Sequence, residues 1–234
     1  MIHLFIGVDD VEIVAYHTMV QSIIDTCTVP IAITPLKLSM LPLYNRERDP
    51  KQSNEFSFSR FYVPYLCGYK GHAIFMDLDM LLRSDINELW KLRDNRKSVQ
   101  VVKHDYTPKT QVKYLGAIQY PYPRKNWSSV MLFNCQRCKK LTPAFVNTAH
   151  PMELHRFHWL KDEDIGELPK EWNHLVYDLP PNPNAKIIHW STGGPYFHEY
   201  QHCEYSTDWF KMKVKMGNCQ QSGNENENKL HNTG

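Results

Sequence analysis

No apolar run in this chain approaches the about 18 residues that a membrane-spanning helix needs. The N-terminal run IHLFIGV at 2–8 has no basic segment before it and no small-residue cleavage site after it. It is expected to be neither signal peptide nor anchor, which places the chain in the cytoplasm. Charge of one sign is lacking too, since 27 Lys and Arg stand against 25 Asp and Glu. That balance argues against a nucleic-acid partner, and any bound anion must be held locally. There is no G-x-G-x-x-G, no Walker loop and no G-x-S-x-G elbow, which removes the dinucleotide, P-loop and α/β-hydrolase signatures. Internal repeats are absent. Cysteines 27, 67, 135, 138, 203 and 219 are too scattered for a disulfide framework in a chain this size and are expected to be reduced thiols.

What is present is enough apolar residue, 42% of 234 positions, for one sizeable core. Strand-like runs fall at 2–8, 31–36, 73–76, 98–102, 129–133 and 186–190. Helical patterns lie between them. Residues 11–26 put Val14, Met19, Ile23 and Ile24 largely on one face, 57–67 carry Phe58, Phe61, Tyr62 and Tyr65, and Ile86, Leu89 and Trp90 follow a cap at Ser84 or Asp85. Strand alternating with helix predicts a single α/β domain over 1–216, a mostly parallel sheet with helices on both faces. Residues 217–234 are polar and aperiodic and are expected to form a disordered tail.

The chemistry concentrates where IFMDLD ends a strand on Asp77 and Asp79. Ligands of open α/β sheets bind beyond the carboxyl ends of the strands, and two carboxylates that close repel unless a cation lies between them. A hard divalent ion, Mn2+ or Mg2+, suits oxygen ligands and bridges to phosphates. The competing reading is a turn whose acids cap the next segment. A second metal pattern, Cys135-x2-Cys138 followed by His150 and His155, has near-zinc-finger spacing. Pro151 would break the helix that presents both histidines, so buried thiols with exposed histidines are expected instead. Trp127, Trp159, Trp172, Trp190, Tyr196 and Phe197 could stack on sugars, but most are expected in the core.

The stretch FSFSRFYVPYLCGYKGHAIFMDLDMLLRSDINELW resembles the core of GT-A glycosyltransferases, in particular the retaining family 8 group that includes glycogenin and bacterial galactosyltransferases. IGVDD, NWSSVMLFN, LKDEDIG and HWSTGGPYF extend the resemblance in order across residues 2–198. The longer phrases VVKHD and GELPKEWNHLV look closest to a bacterial group of glycosyltransferases. The resemblance implies a Rossmann-like GT-A fold and a metal bound by Asp77, Asp79 and His189. It implies donor contacts from Val8, Asp9 and Asp10 at the base, from Arg60 at the phosphates, with Lys70 and Arg83 as weaker candidates, and from Asp105, Ser128, Gly193 and Gly194. Asp162, Glu163 and Asp164 would be the acids at the reaction centre. Two departures stand out. The loop STGGPYF lacks the family's phosphate lysine, and Glu12 replaces a tyrosine that stacks on the base.

The expected activity is metal-dependent transfer of a hexose from a nucleoside diphosphate sugar, a UDP-sugar being favoured, with retention of configuration. The acceptor would be a glycan, a lipid-linked glycan or a small molecule. The alternatives are a nucleotide-sugar hydrolase, a nucleotidyltransferase-like enzyme, or a catalytically silent sugar-nucleotide or glycan-binding module.

Overall fold

A computed structural model describes residues 1–49, 52 and 54–217. Its nine strands are β1 (Ile2–Gly7), β2 (Ile31–Leu36), β3 (His72–Met76), β4 (Met80–Leu82), β5 (Val99–Val101), β6 (Val130–Asn134), β7 (Ile165–Glu167), β8 (His174–Leu175) and β9 (Ile187–His189). The main sheet has the order β2-β1-β3-β6-β5-β7. β1 is parallel to β2 and β3, and β5 to β7, while β6 runs against both β3 and β5. Only β6 therefore opposes the rest, and the sheet is mostly parallel, as its apolar runs imply. β1, β3 and β6 are buried almost throughout, which is why their sequences lack strict alternation.

The expected strands agree with these to within two residues at each end, with one change of membership. The run at 186–190 becomes β9, which leaves the main sheet for a second one ordered β4-β9-β8. β4 and β9 are antiparallel with Met80 opposite His189, and Trp190 N–H donates to Asp79 C=O at 3.0 Å. This register carries His189 to the end of β3, where Asp79 stands.

Helix α1 (Ile13–Thr26) buries Ala15, Thr18, Met19, Ser22 and Ile23. Ile24, expected on that face, is 59% exposed, because it lies a further 100° round the helix from Ile23. Ser22 Oγ accepts from Leu82 N–H and ties α1 to β4. The segment 57–67 forms a 3-10 turn at Ser59–Tyr62 followed by the short α2 (Val63–Leu66) with Pro64 at its start. Asp85 caps α3 (Ile86–Lys91) by accepting from Asn87 N–H at 2.9 Å. Between β6 and β7 the chain makes α4 (Pro143–Thr148) and α5 (Pro151–His155), and it ends in α6 (Ser206–Gly217). The tail expected over 217–234 lies outside the described residues except for Gly217, the last residue of α6. No helix among the described residues is long and apolar enough to cross a membrane.

Candidate metal centre and donor cavity

β3 ends at Met76, and the next N–H, that of Asp77, still pairs with β6 by donating to Ser129 C=O at 3.0 Å. The Asp77 carboxylate is thereby fixed at the sheet's carboxyl edge. Arg60, 4% exposed, reaches it from the 3-10 turn with Nη1 2.8 Å from Asp77 Oδ1, and the same nitrogen donates to Ser128 C=O at 2.9 Å. Burial pushes the Asp77 carboxyl up to about 6, with Arg60 pulling it back and Asp79 adding to the rise. Burial also opposes ionisation of Asp79, but the facing His189 and Lys113 hold its carboxyl below the ordinary range.

Ligating atoms of Asp77, Asp79 and His189 lie within 4.8 Å of one another, the only such group of three or more among the described residues. The hydrogen bonds around His189 decide which ring nitrogen carries its proton. Ser129 Oγ donates to Asn126 C=O, so it accepts from Asn173 Nδ2 at 2.8 Å, which turns Asn173 Oδ1 toward His189 Nδ1 at 2.8 Å. Nδ1 is a donor, and Nε2 faces Asp79 Oδ1 at 3.3 Å, where either a proton on Nε2 or a metal ion can supply the positive charge between them. Asp79 Oδ1 is buried, with His189 Nε2 as the group that faces it. With Nε2 deprotonated, its lone pair would repel the carboxylate unless a cation joined them, and two carboxylates with a neutral imidazole form a donor set suited to Mn2+ or Mg2+. The residues present fit a divalent ion.

Asn173 was not legible in the sequence, since nothing marks an outer-sphere amide within KEWNHLV. Its replacement by Ala should lower divalent-ion affinity about 10- to 100-fold by freeing the His189 ring. Calorimetric titration with Mn2+ would show this, and unchanged affinity would mean the imidazole is oriented by packing alone.

The cluster opens into a cavity of about 480 Å3, within the range of small-molecule sites. Arg60, Lys113, Lys125, His155 and Arg156 bring nitrogen-bearing side chains to its wall, and Ser128 and Ser191 bring hydroxyls. Lys125 is 6% exposed, and burial with Lys113 nearby pushes its ammonium down to about 7. His155 Nδ1 lies 3.1 Å from Ser128 Oγ, and burial followed by the field of Arg60 pushes its imidazole down to about 3, so it is neutral. Lys113, Lys125 and Arg156 escaped the sequence reading because 103–126 and 156–160 carry neither periodicity nor a motif.

Several expected site residues are not brought to this cavity. Asp164 C=O accepts from Ser98 N–H just before β5, and its side chain pairs with Arg137 at 2.9 Å. It therefore starts β7 at the amino end of the sheet, roughly 16 Å along the strands from Asp77 at the other end. Asp162 pairs with Arg124 at 2.6 Å and is 83% exposed at its side chain, and Glu163 lies 3.7 Å from Lys161 in solvent. Helix α5 and the residue before it present His150, Met152 and His155 to the cavity. Asp105 is exposed and off the cavity wall. Asp9 accepts from the N–H groups of Val11 and Glu55, Asp10 pairs with Lys37, and Val8 N–H donates to Leu36 C=O, so all three serve the backbone or the surface here. Gly193 and Gly194 are explained by packing, since a Cβ would lie 2.5 Å from the Tyr200 ring and 2.3 Å from that of Tyr196. Lys70 is exposed in the turn before β3, and Arg83 lies 3.7 Å from Asp208.

The zinc-like pattern does not assemble. Cys135 and Cys138 are buried, the latter against Ser98 C=O, while His150 and His155 face the cavity. Histidines expected in solvent thus include one, His155, that is only partly accessible. The described cysteines, 27, 67, 135, 138 and 203, are all free thiols, and Cys219 lies outside the described residues.

A mostly parallel sheet with a short mixed companion, and an Asp-x-Asp pair at its carboxyl edge, define a GT-A glycosyltransferase fold. The galactosyltransferase LgtC, solved in complex with donor and acceptor sugar analogs, superposes with a TM-score of 0.59 at 9% identity over 94% of this chain and 98% of that one. GlyE of Streptococcus pneumoniae TIGR4 gives a TM-score of 0.59 at 14% identity over 91% of this chain. The chain spans 60% of GlyE and 52% of the bifunctional WbbM, less than two thirds of either. The family model Glycosyl transferase family 8 matches residues 1–194. Protein CDI of Arabidopsis thaliana is 44% identical over 216 residues, covering 88% of this chain and 83% of that protein. The chain belongs to glycosyl transferase family 8 and is a glycosyltransferase.

Proposed function

We propose that this protein transfers a sugar from a nucleoside diphosphate sugar, a UDP-sugar by preference, to a glycan, lipid-linked glycan or small-molecule acceptor, with divalent-ion dependence and retention of configuration. The observation that carries the reading is the convergence of Asp77, Asp79 and His189, their ligating atoms within 4.8 Å of one another, at the head of a cavity rich in basic side chains. Mn2+ or Mg2+ held by Asp77, Asp79 and His189 would neutralise charge growing on the departing diphosphate. Arg60 fixes Asp77 in place and so sets the geometry of the ligand set. Arg156 Nε, buried without a partner, is a free donor at the same wall.

The placement of the acids bears on stereochemistry. Among the described residues only Asp49, Asp77 and Asp79 bring carboxylates to the cavity wall. With two of them assigned to the ion and the 162–164 acids elsewhere, retention is best served by attack on the face the diphosphate leaves. The acceptor oxygen bonds to the anomeric carbon as the carbon–phosphate oxygen bond breaks, and the acceptor proton passes to the departing diphosphate. Measuring free nucleoside diphosphate with and without acceptor tests the reading. Release only with acceptor is the expected result, release without it would mean hydrolysis, and none under any condition would mean a binding module. Proton NMR of the first product should show an α-linkage from an α-linked donor, and a β-linkage would overturn retention.

A further inference from the structure

Residues 111–119 form a hairpin over the cavity. Gln119 N–H donates to Gln111 C=O at 2.8 Å, Val112 bridges Ile118, and Leu115 and Gly116 make the turn with positive φ. The hairpin docks on the loop that follows β9, because Tyr114 N–H donates to Thr192 C=O at 2.9 Å and the Tyr114 ring stacks on Phe197 at 4.7 Å. That loop, STGGPYF, is the one without a lysine. Beneath the hairpin, Glu12 grips both layers: Tyr114 OH donates to Oε1 at 2.6 Å and Tyr196 OH to Oε2 at 2.5 Å. Glu12 is 2% exposed, so this grip is sheltered from solvent. Beside Tyr114 in the chain, Lys113 lines the cavity together with Asp77, Asp79 and Lys125. Among the described residues neither lysine makes a salt bridge, although Asp79 and Asp77 attract Lys113 and Asp178 attracts Lys125, and the two ammoniums repel each other. Two lysines lining one pocket, with no carboxylate in direct salt-bridge contact with either, leave their charge to be completed by an anion that comes between them.

We infer that Lys113 and Lys125 are the diphosphate-binding cations of this enzyme, and that Glu12, through Tyr114, is the positioning residue that aims Lys113. The inference rests on the nucleotide-sugar reading of the same cavity. It joins two departures in the sequence into one device. The lysine missing from the loop after β9 is supplied by the hairpin lying on that loop, and the glutamate that stands where a base-stacking tyrosine was expected anchors the hairpin. Asp77 and Asp79 hold Lys113 toward the cluster in the free protein, and a bound diphosphate takes over as its counter-charge.

Calorimetric titration of the full chain with inorganic pyrophosphate in Mg2+ isolates the diphosphate from base and sugar. The wild type should bind, and Lys113→Met and Lys125→Met should each weaken binding about tenfold, the loss of one charge-assisted contact. Glu12→Ala and the milder Tyr114→Phe should each weaken it in the wild type but not further in the Lys113→Met background, because a positioning residue there has nothing left to aim. Undiminished affinity in both lysine variants would overturn the assignment while leaving the donor reading intact. Additive losses on combining Tyr114→Phe with Lys113→Met would overturn the positioning role. Absence of binding in the wild type would overturn both this inference and the nucleotide-sugar reading.

Discussion

Asp79→Asn is expected to abolish divalent-ion-dependent binding of a nucleoside diphosphate sugar and to leave the fold intact. Asp79 Oδ1 faces His189 Nε2 at 3.3 Å, so an asparagine amide there could donate to the neutral ring and leave no buried charge unpaired. The ion loses a charged oxygen ligand. Affinity for Mn2+ should fall by more than about 100-fold, beyond what outer-sphere losses produce. Calorimetry of the variant, set beside wild type in chelator, measures this. Donor binding as tight as in the untreated wild type would show that the cavity's cations hold the diphosphate without an ion. His189→Ala should act in the same direction and more strongly than Trp190→Phe, which alters a fully buried neighbour.

Arg60→Met has the largest expected effect on stability. Its guanidinium supplies the counter-charge of buried Asp77 and caps the carbonyls of Ser128 and Phe56. Removing it strands a buried carboxylate, a loss of about 3–5 kcal/mol, which equilibrium urea unfolding of the metal-free protein would register. A loss under about 1 kcal/mol would mean that water reaches Asp77 and screens it. The pH dependence has a definite sign. Asp77 is raised to about 6 in the folded state, so its contribution to stability is full below the ordinary aspartate range and is lost as pH rises through about 6. Without Arg60 that loss should deepen. Added divalent ion should oppose it, since a cation favours the charged carboxylate.

Much of this site was legible before any coordinates. β3 is a short apolar run followed by Asp-x-Asp, and the reading that such acids stand at a strand's carboxyl edge needs only the direction of the chain. Arg60 was legible through family resemblance, but its partner was not. It was expected to meet phosphate, and in the structure it meets Asp77 at 2.8 Å. The acids at 162–164 show the opposite failure. Their spacing resembles a reaction centre, yet local spacing carries no information about which end of a sheet a segment reaches, and Asp164 lies at the amino end. Lys113 and Lys125 sit in a segment without period or motif, and Asn173 lies in a phrase of the resemblance that attached no role to it, so only their neighbours give them meaning.

The sequence by itself determined six of the nine described strands, because buried strands need continuous apolar runs, while the short β4, β7 and β8 carry no such run. It determined the two carboxylates, because they follow one such run directly. The tertiary structure decided what surrounds them. Pairing of β4 with β9 sets Met80 opposite His189 and so places the imidazole against Asp79. Docking of the 111–119 hairpin on the loop after β9 turns Lys113 over the same cavity. Both are long-range registers. They depend on which surfaces bury one another, and residues distant in the chain have no local signal by which to announce that they will meet.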